Sequence, residues 1–87
     1  MRFTVCEDHE AMSRAAAGIM AEAVAKNPAL LLCAASGGSP TRAYELFVAD
    51  KQAGAQLRVL KLDEWAGLAT DDPASCEAYL QRYLIGP

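Results

Sequence analysis

Ala34-Ala35-Ser36-Gly37-Gly38-Ser39-Pro40-Thr41 is the stretch that decides how this chain folds. An apolar run, Ala29 to Ala35, leads into it, and a helix-like segment beginning at Pro40 leads out. The order predicts a strand, a tight glycine turn and a helix N-terminus. Free N–H groups at a helix start, together with the positive end of its dipole, attract anions. Paired glycines let the backbone approach a phosphate, because no Cβ stands in the way. Ser36 and Ser39 add hydroxyl donors. Ser39 also suits an N-cap, with Pro40 at the first helical position, where its missing N–H costs nothing. Ser36, Gly37, Gly38 and Ser39 are therefore the candidate phosphate cradle. The plain alternative is a strand–helix turn that uses glycine for geometry and serine as a cap. No G-x-x-x-x-G-K-[ST] or G-x-G-x-x-G can be written here, so the turn is neither a nucleotide P-loop nor a dinucleotide fingerprint.

The flanking chain extends this pattern. Arg2 to Cys6 alternates and is β-prone, which predicts a first strand. Asp8 is a candidate N-cap for a helix from His9 to Lys26. Its apolar stripe is Ala11, Met12, Ala15, Ala16, Ile19, Met20, Ala23 and Val24, at helical spacing. Asn27-Pro28 stops it. Ala29 to Ala35 reads as a buried parallel strand, apolar on both faces. Pro40 to about Gly54 reads as a second helix, with Gly54 as its C-terminal cap. Leu57 to Leu62 is a third strand. Asp72 and Pro73 then look like the N-cap and first residue of a third helix running through Leu84. The result is an α/β chain: a Rossmann-like parallel sheet with flanking helices, βαβαβα, forming part of a domain.

In open parallel sheets the ligand crevice lies at the carboxyl ends of the strands. Asp63-Glu64-Trp65 follows the third strand there, as the glycine turn follows the second. Partial burial beside Trp65 would tune Asp63 as a general base. The alternative is a strand-end aspartate that caps its loop, with Glu64 solvated and Trp65 packed. His9, the sole histidine, reads as a solvated first-turn residue rather than a base.

Totals narrow the classes further. Eighty-seven residues make one small domain, and 53% hydrophobic with 22% charged residues argues against disorder. A net charge of −3 gives no basic surface for nucleic acid. The three cysteines, Cys6, Cys33 and Cys76, form no C-x-x-C, and one histidine leaves no zinc spacing. No apolar run approaches membrane-spanning length, and Met1-Arg2 does not open a signal peptide; the expected location is cytoplasmic.

The blocks AASGGSPT (Ala34 to Thr41), LKLDEWAGL (Leu60 to Leu68) and Asp72-Pro73-Ala74-Ser75 together resemble the start of the glucosamine-6-phosphate deaminase/isomerase family. Their order and spacing are more specific than any one block, and the likeness runs over nearly the whole chain. Within the family, KLDEW with Cys76-Glu77-Ala78-Tyr79-Leu80-Gln81 looks most like the galactosamine-6-phosphate isomerase branch. The resemblance implies that residues 1–87 are the N-terminal part of a sugar-phosphate isomerase/deaminase domain. The implied reaction converts an amino-sugar 6-phosphate to a ketose 6-phosphate with release of ammonia, without cofactor or metal. Asp63 matches the family's proton-transferring aspartate, and Ser36 to Ser39 match its phosphate loop. Glu64 takes a supporting catalytic role. The implied partner is a small-molecule sugar phosphate, with neither nucleic acid nor membrane.

The family's later block, G-x-G-x-[ND]-G-H-x-x-[FL]-N-E-P, whose histidine opens the sugar ring, has no counterpart in these residues. The expectation is a fragment inactive alone, since catalytic sets lose most activity when one member goes. Its half-sheet would expose apolar surface and favour homo-oligomers. Two other functions fit parts of the pattern. One is a 6-phosphogluconolactonase-like hydrolase, which shares the turn but usually carries Asp-Glu-Arg after the third strand. The other is a non-catalytic sugar-phosphate-binding module, which would not need Asp63.

Overall fold

The computed structural model describes residues 3–49, 57–69 and 71–86. Helix α1 spans His9–Lys26, as the periodicity predicts. Asp8 caps it: Oδ1 accepts from the Ala11 N–H at 2.7 Å, meeting one of the donors a helix start leaves unpaired. Asn27 is extended and ends it. The buried line is Ser13, Ala17 and Val24, flanked by Met20 and Ala21, so the inward face is rotated from the expected stripe. Ala15 and Ile19 face solvent. Small residues at 13 and 17 let a neighbouring backbone come close.

Strands β1 (Leu31–Ala34) and β2 (Arg58–Lys61) pair in parallel, Leu31 opposite Arg58 and Ala34 opposite Lys61. Helix α2 (Gly38–Val48) lies between them in sequence. Helix α3 (Cys76–Leu80) continues as a π turn over Gln81–Ile85, closed by the Gly86 N–H on the Gln81 carbonyl at 2.8 Å. One core cluster joins Ala17 and Val24 of α1, Ala34 of β1, Tyr44 and Phe47 of α2, and Leu80 and Leu84. Leu32 and Val59 pack against it from the two strands. Leu80 is fully buried, so truncating it to alanine costs about 2–5 kcal/mol.

Several expectations are corrected. Residues 3–6 form no strand: Phe3 is 85% exposed and Val5 96%. Alternation makes a segment fit for a sheet, but a strand exists only when its ladder finds a partner. Strand β1 is not buried on both faces. Leu31 and Cys33 point outward while Leu32 and Ala34 point inward, so within the described residues one face of the sheet is bare. Helix α2 begins two residues before Pro40. The expected cap at Gly54 lies outside the described residues. Helix α3 starts at Cys76 with Ser75 as its cap, not at Asp72-Pro73. Asp72 instead accepts from the Ala74 N–H at 2.8 Å and closes a turn ahead of the helix.

Candidate active site

The predicted residues lie between the end of β1 and the start of α2, and just past the end of β2. At the end of β1, Gly37 adopts φ 126°, a conformation that strains any residue with a Cβ. Gly37 is the N-cap of α2 and makes no side-chain cap bond. Gly38 and Ser39 are therefore the first helical residues and Pro40 the third. Pro40 remains within the first turn, where an N–H would have no intrahelical partner. Ser39 is not the cap, and its hydroxyl has no partner among the described residues. Gly38 differs from Gly37: its φ is ordinary, and a Cβ there would meet no atom of the described residues within 4 Å. Neither strain nor packing within the described residues requires glycine at 38.

Ser36 is engaged. Its hydroxyl donates to the Cys76 Sγ at 3.1 Å, and the Cys76 thiol in turn faces the Asp63 Oδ1 at 3.9 Å. Cys76, buried at the start of α3, thus bridges the glycine turn and the aspartate after β2. Residue spacing alone assigns this cysteine no role in the site. Two tyrosines brace the turn. Tyr44 of α2 donates to the Ala35 carbonyl, and burial pushes its phenol above the ordinary tyrosine range. Tyr79 of α3 donates to the Gly37 carbonyl at 2.7 Å.

Asp63 is exposed, as is Trp65 at 66%, so the expected burial of the base beside an indole is not found. Glu64 is neither solvated nor idle. Its Oε1 accepts from the N–H groups of Trp65 and Cys76 at 2.9 and 2.7 Å, and its Oε2 accepts from that of Glu77 at 2.9 Å. The Cys76 N–H above all, with those of Trp65 and Glu77, holds the carboxyl at about 2 against an ordinary 4.5. Lys61 Nζ lies 3.4 Å from Glu64 and 3.7 Å from Glu77. Glu64 therefore fills the N-terminus of α3 and docks it beside Asp63.

His9 is exposed, yet its Nε2 lies 3.2 Å from the Ser39 carbonyl, because α1 and α2 begin side by side. Arg42 of α2 is held by Glu10 of α1, Nε to Oε2 at 2.9 Å and Nη2 to Oε1 at 3.1 Å. That bond draws the Glu10 carboxyl below its usual range. A separate groove lined by Thr4, Ile19, Glu22, Ala23 and Lys26 holds none of the predicted residues. Among the described residues no group of His, Cys, Asp and Glu is arranged to hold a metal ion, and no helix is long and apolar enough to cross a membrane.

Parallel strands, a glycine turn opening a helix and a carboxylate at the end of the adjacent strand define an α/β unit of the kind that carries ligands at its carboxyl edge. No family model matches the chain. Its sequence is 40% identical over 86 residues to a glucosamine-6-phosphate deaminase of Rhodopirellula baltica, covering 94% of this chain and 34% of that protein. A putative deaminase AgaI of Escherichia coli is 31% identical over 93% of this chain and 34% of its own length. A solved structure, described as a monomeric glucosamine-6-phosphate deaminase and a missing link of the NagB superfamily, superposes with a TM-score of 0.90. It is 31% identical, over 97% of this chain and 36% of that one. The resemblance to the glucosamine-6-phosphate deaminase family, first read from three sequence blocks, thus holds along almost the whole chain. The chain spans about a third of the length of the relatives it matches.

Proposed function

We propose that residues 1–87 form the N-terminal part of an amino-sugar 6-phosphate deaminase domain of Rossmann-like topology. In this reading the start of α2 receives the 6-phosphate. Its donors are the N–H groups of Gly38 and Ser39 and the Ser39 hydroxyl. Ser36 contributes from within the turn, and Gly37 shapes it. Asp63 acts as the base. Once the ring is open, its carboxylate takes the proton from C2 and returns it to C1. Water then hydrolyses the resulting imine to ketose and ammonia. Glu64 supports the reaction by holding α3 against Asp63. No cofactor is needed for this proton transfer. A separate group must open the ring, so the 87 residues alone bind but do not turn over. The sheet face left bare within the described residues, with Leu31 and Leu60 each more than half exposed, favours burial against another surface, including a second copy.

One observation carries the proposal: Gly38 is glycine where nothing in the described structure demands it, at an uncapped helix start. An anion seated on the N–H groups supplies the missing reason.

The test is Asp63→Asn in the protein made from its complete reading frame, assayed for ammonia release from glucosamine and galactosamine 6-phosphates. Turnover falls by about 10²–10⁴-fold, the usual worth of a positioned base, while phosphate affinity is retained. Unchanged ammonia release removes Asp63 from the mechanism. Lactone hydrolysis in place of deamination would move the protein to the 6-phosphogluconolactonase-like class.

A further inference from the structure

Gly37 has no side chain, yet its carbonyl is among the most heavily bonded groups of the turn. Tyr79 Oη lies 2.7 Å from that oxygen, Thr41 Oγ1 also lies 2.7 Å from it, and the two hydroxyls are 2.6 Å apart. Two protons serve these three contacts. Both cannot lie between the hydroxyls, so the carbonyl always receives at least one. The carbonyl of Gly37 and the N–H of Gly38 belong to one rigid peptide plane. Fixing the oxygen therefore fixes the direction of the N–H on the plane's opposite edge. As the N-cap of α2, Gly37 also offers its carbonyl to the first intrahelical bond, and the two hydroxyls add to that hold from side chains.

The two hydroxyls differ in origin. Thr41 belongs to α2 itself, one turn from Gly37. Tyr79 comes from α3 and is itself locked: its ring meets Tyr44 edge-on at 6.3 Å and Tyr83 at 4.9 Å between centroids. The same short helix sends Cys76 to Ser36 and Asp63.

We propose that Tyr79 is a positioning residue for phosphate recognition: its hydroxyl aims the Gly38 N–H and ties the turn to the segment that abuts Asp63. The inference rests on the turn being the phosphate site. It adds that the site works only when α3 is docked.

The experiment compares wild type, Tyr79→Phe, Thr41→Val and the double variant, in the protein from its complete reading frame. Calorimetry measures binding of inorganic phosphate and glucosamine 6-phosphate, and steady-state assays separate kcat from KM. Tyr79→Phe keeps the ring and its stacking. It weakens both ligands about three- to tenfold and raises KM more than it lowers kcat. Affinity for unphosphorylated glucosamine does not move. The double variant loses affinity by a factor different from the product of the single losses, because both hydroxyls act on one carbonyl. A Tyr79→Phe protein that melts earlier but binds phosphate as wild type does has lost only packing, and the inference is overturned. Strictly independent losses from Tyr79 and Thr41 overturn it as well. If wild type binds neither phosphate nor the phosphorylated sugar, the assignment of the turn fails first and takes this inference with it.

Discussion

Two helix starts at the same edge of the sheet have opposite fates. The start of α3 is filled from within: Ser75 caps it, with the Ala78 N–H on its Oγ at 3.0 Å, and the Glu64 carboxylate accepts the N–H groups of Cys76 and Glu77. The start of α2 has a glycine cap, no side-chain acceptor among the described residues and no acidic residue in its first turn. Both present the same unpaired donors and the same dipole. The protein supplies an anion to one and leaves the other open. The filled site shows what the open one is suited to hold, an oxyanion on successive backbone N–H groups. It also shows why Glu64 differs from its neighbour Asp63, which stays exposed at the crevice.

Breaking the filled site should have the largest effect. Glu64→Gln removes the charge that the α3 donors stabilise, and exchange protection at Cys76 and Glu77 falls. The pH dependence has a definite sign. Folding lowers the Glu64 carboxyl from 4.5 to about 2, so the folded chain binds fewer protons. The stabilisation is complete above about 4.5 and is lost as pH falls toward about 2. Melting curves across that window fall more steeply for wild type than for Glu64→Gln. Parallel curves would mean that the carboxylate contributes nothing at α3. A smaller change, Ser75→Ala, removes one cap acceptor and costs about 1 kcal/mol in urea unfolding. A loss within error would leave the Glu64 carboxylate as the acceptor that matters at the start of α3.

The elements legible in the sequence are those whose cause is local. Helix α1 spans His9–Lys26 as the sequence predicts, because its cap at Asp8, its periodicity and its stop at Asn27 are all local. Proline is tolerated throughout a helix's first turn, so Pro40, the third residue of α2, marks a neighbourhood and not a boundary. Pro73 lies ahead of α3, beside the turn that Asp72 closes, because its fixed φ suits a turn as well as a helix start. Arg2 to Cys6 had strand composition, but among residues 3–6 no ladder forms, and ladders are decided by what lies alongside. The roles of Glu64, Cys76 and Tyr79 were hidden by distance. Glu64 reaches donors 12 and 13 residues on, and Tyr79 reaches back 42 residues to Gly37. The glycine turn and Asp63 were visible because residue type and position at strand ends announce them. That His9 would lie beside Ser39 had no signal in the sequence, since it depends on how α1 packs against α2.

The difference between the two helix starts is tested most directly by titrating inorganic phosphate into wild type and Gly38→Ala. Among the described residues a Cβ at 38 meets no atom within 4 Å, and alanine suits a helix, so the variant folds with stability equal to wild type or higher by up to about 1 kcal/mol. The account predicts that wild type binds phosphate and that Gly38→Ala binds it at least about tenfold more weakly, a loss of roughly 1.4 kcal/mol from one methyl group. Equal affinity in the two proteins would contradict it: the open start of α2 would then be a turn built for the chain's own geometry, and not a seat for an anion.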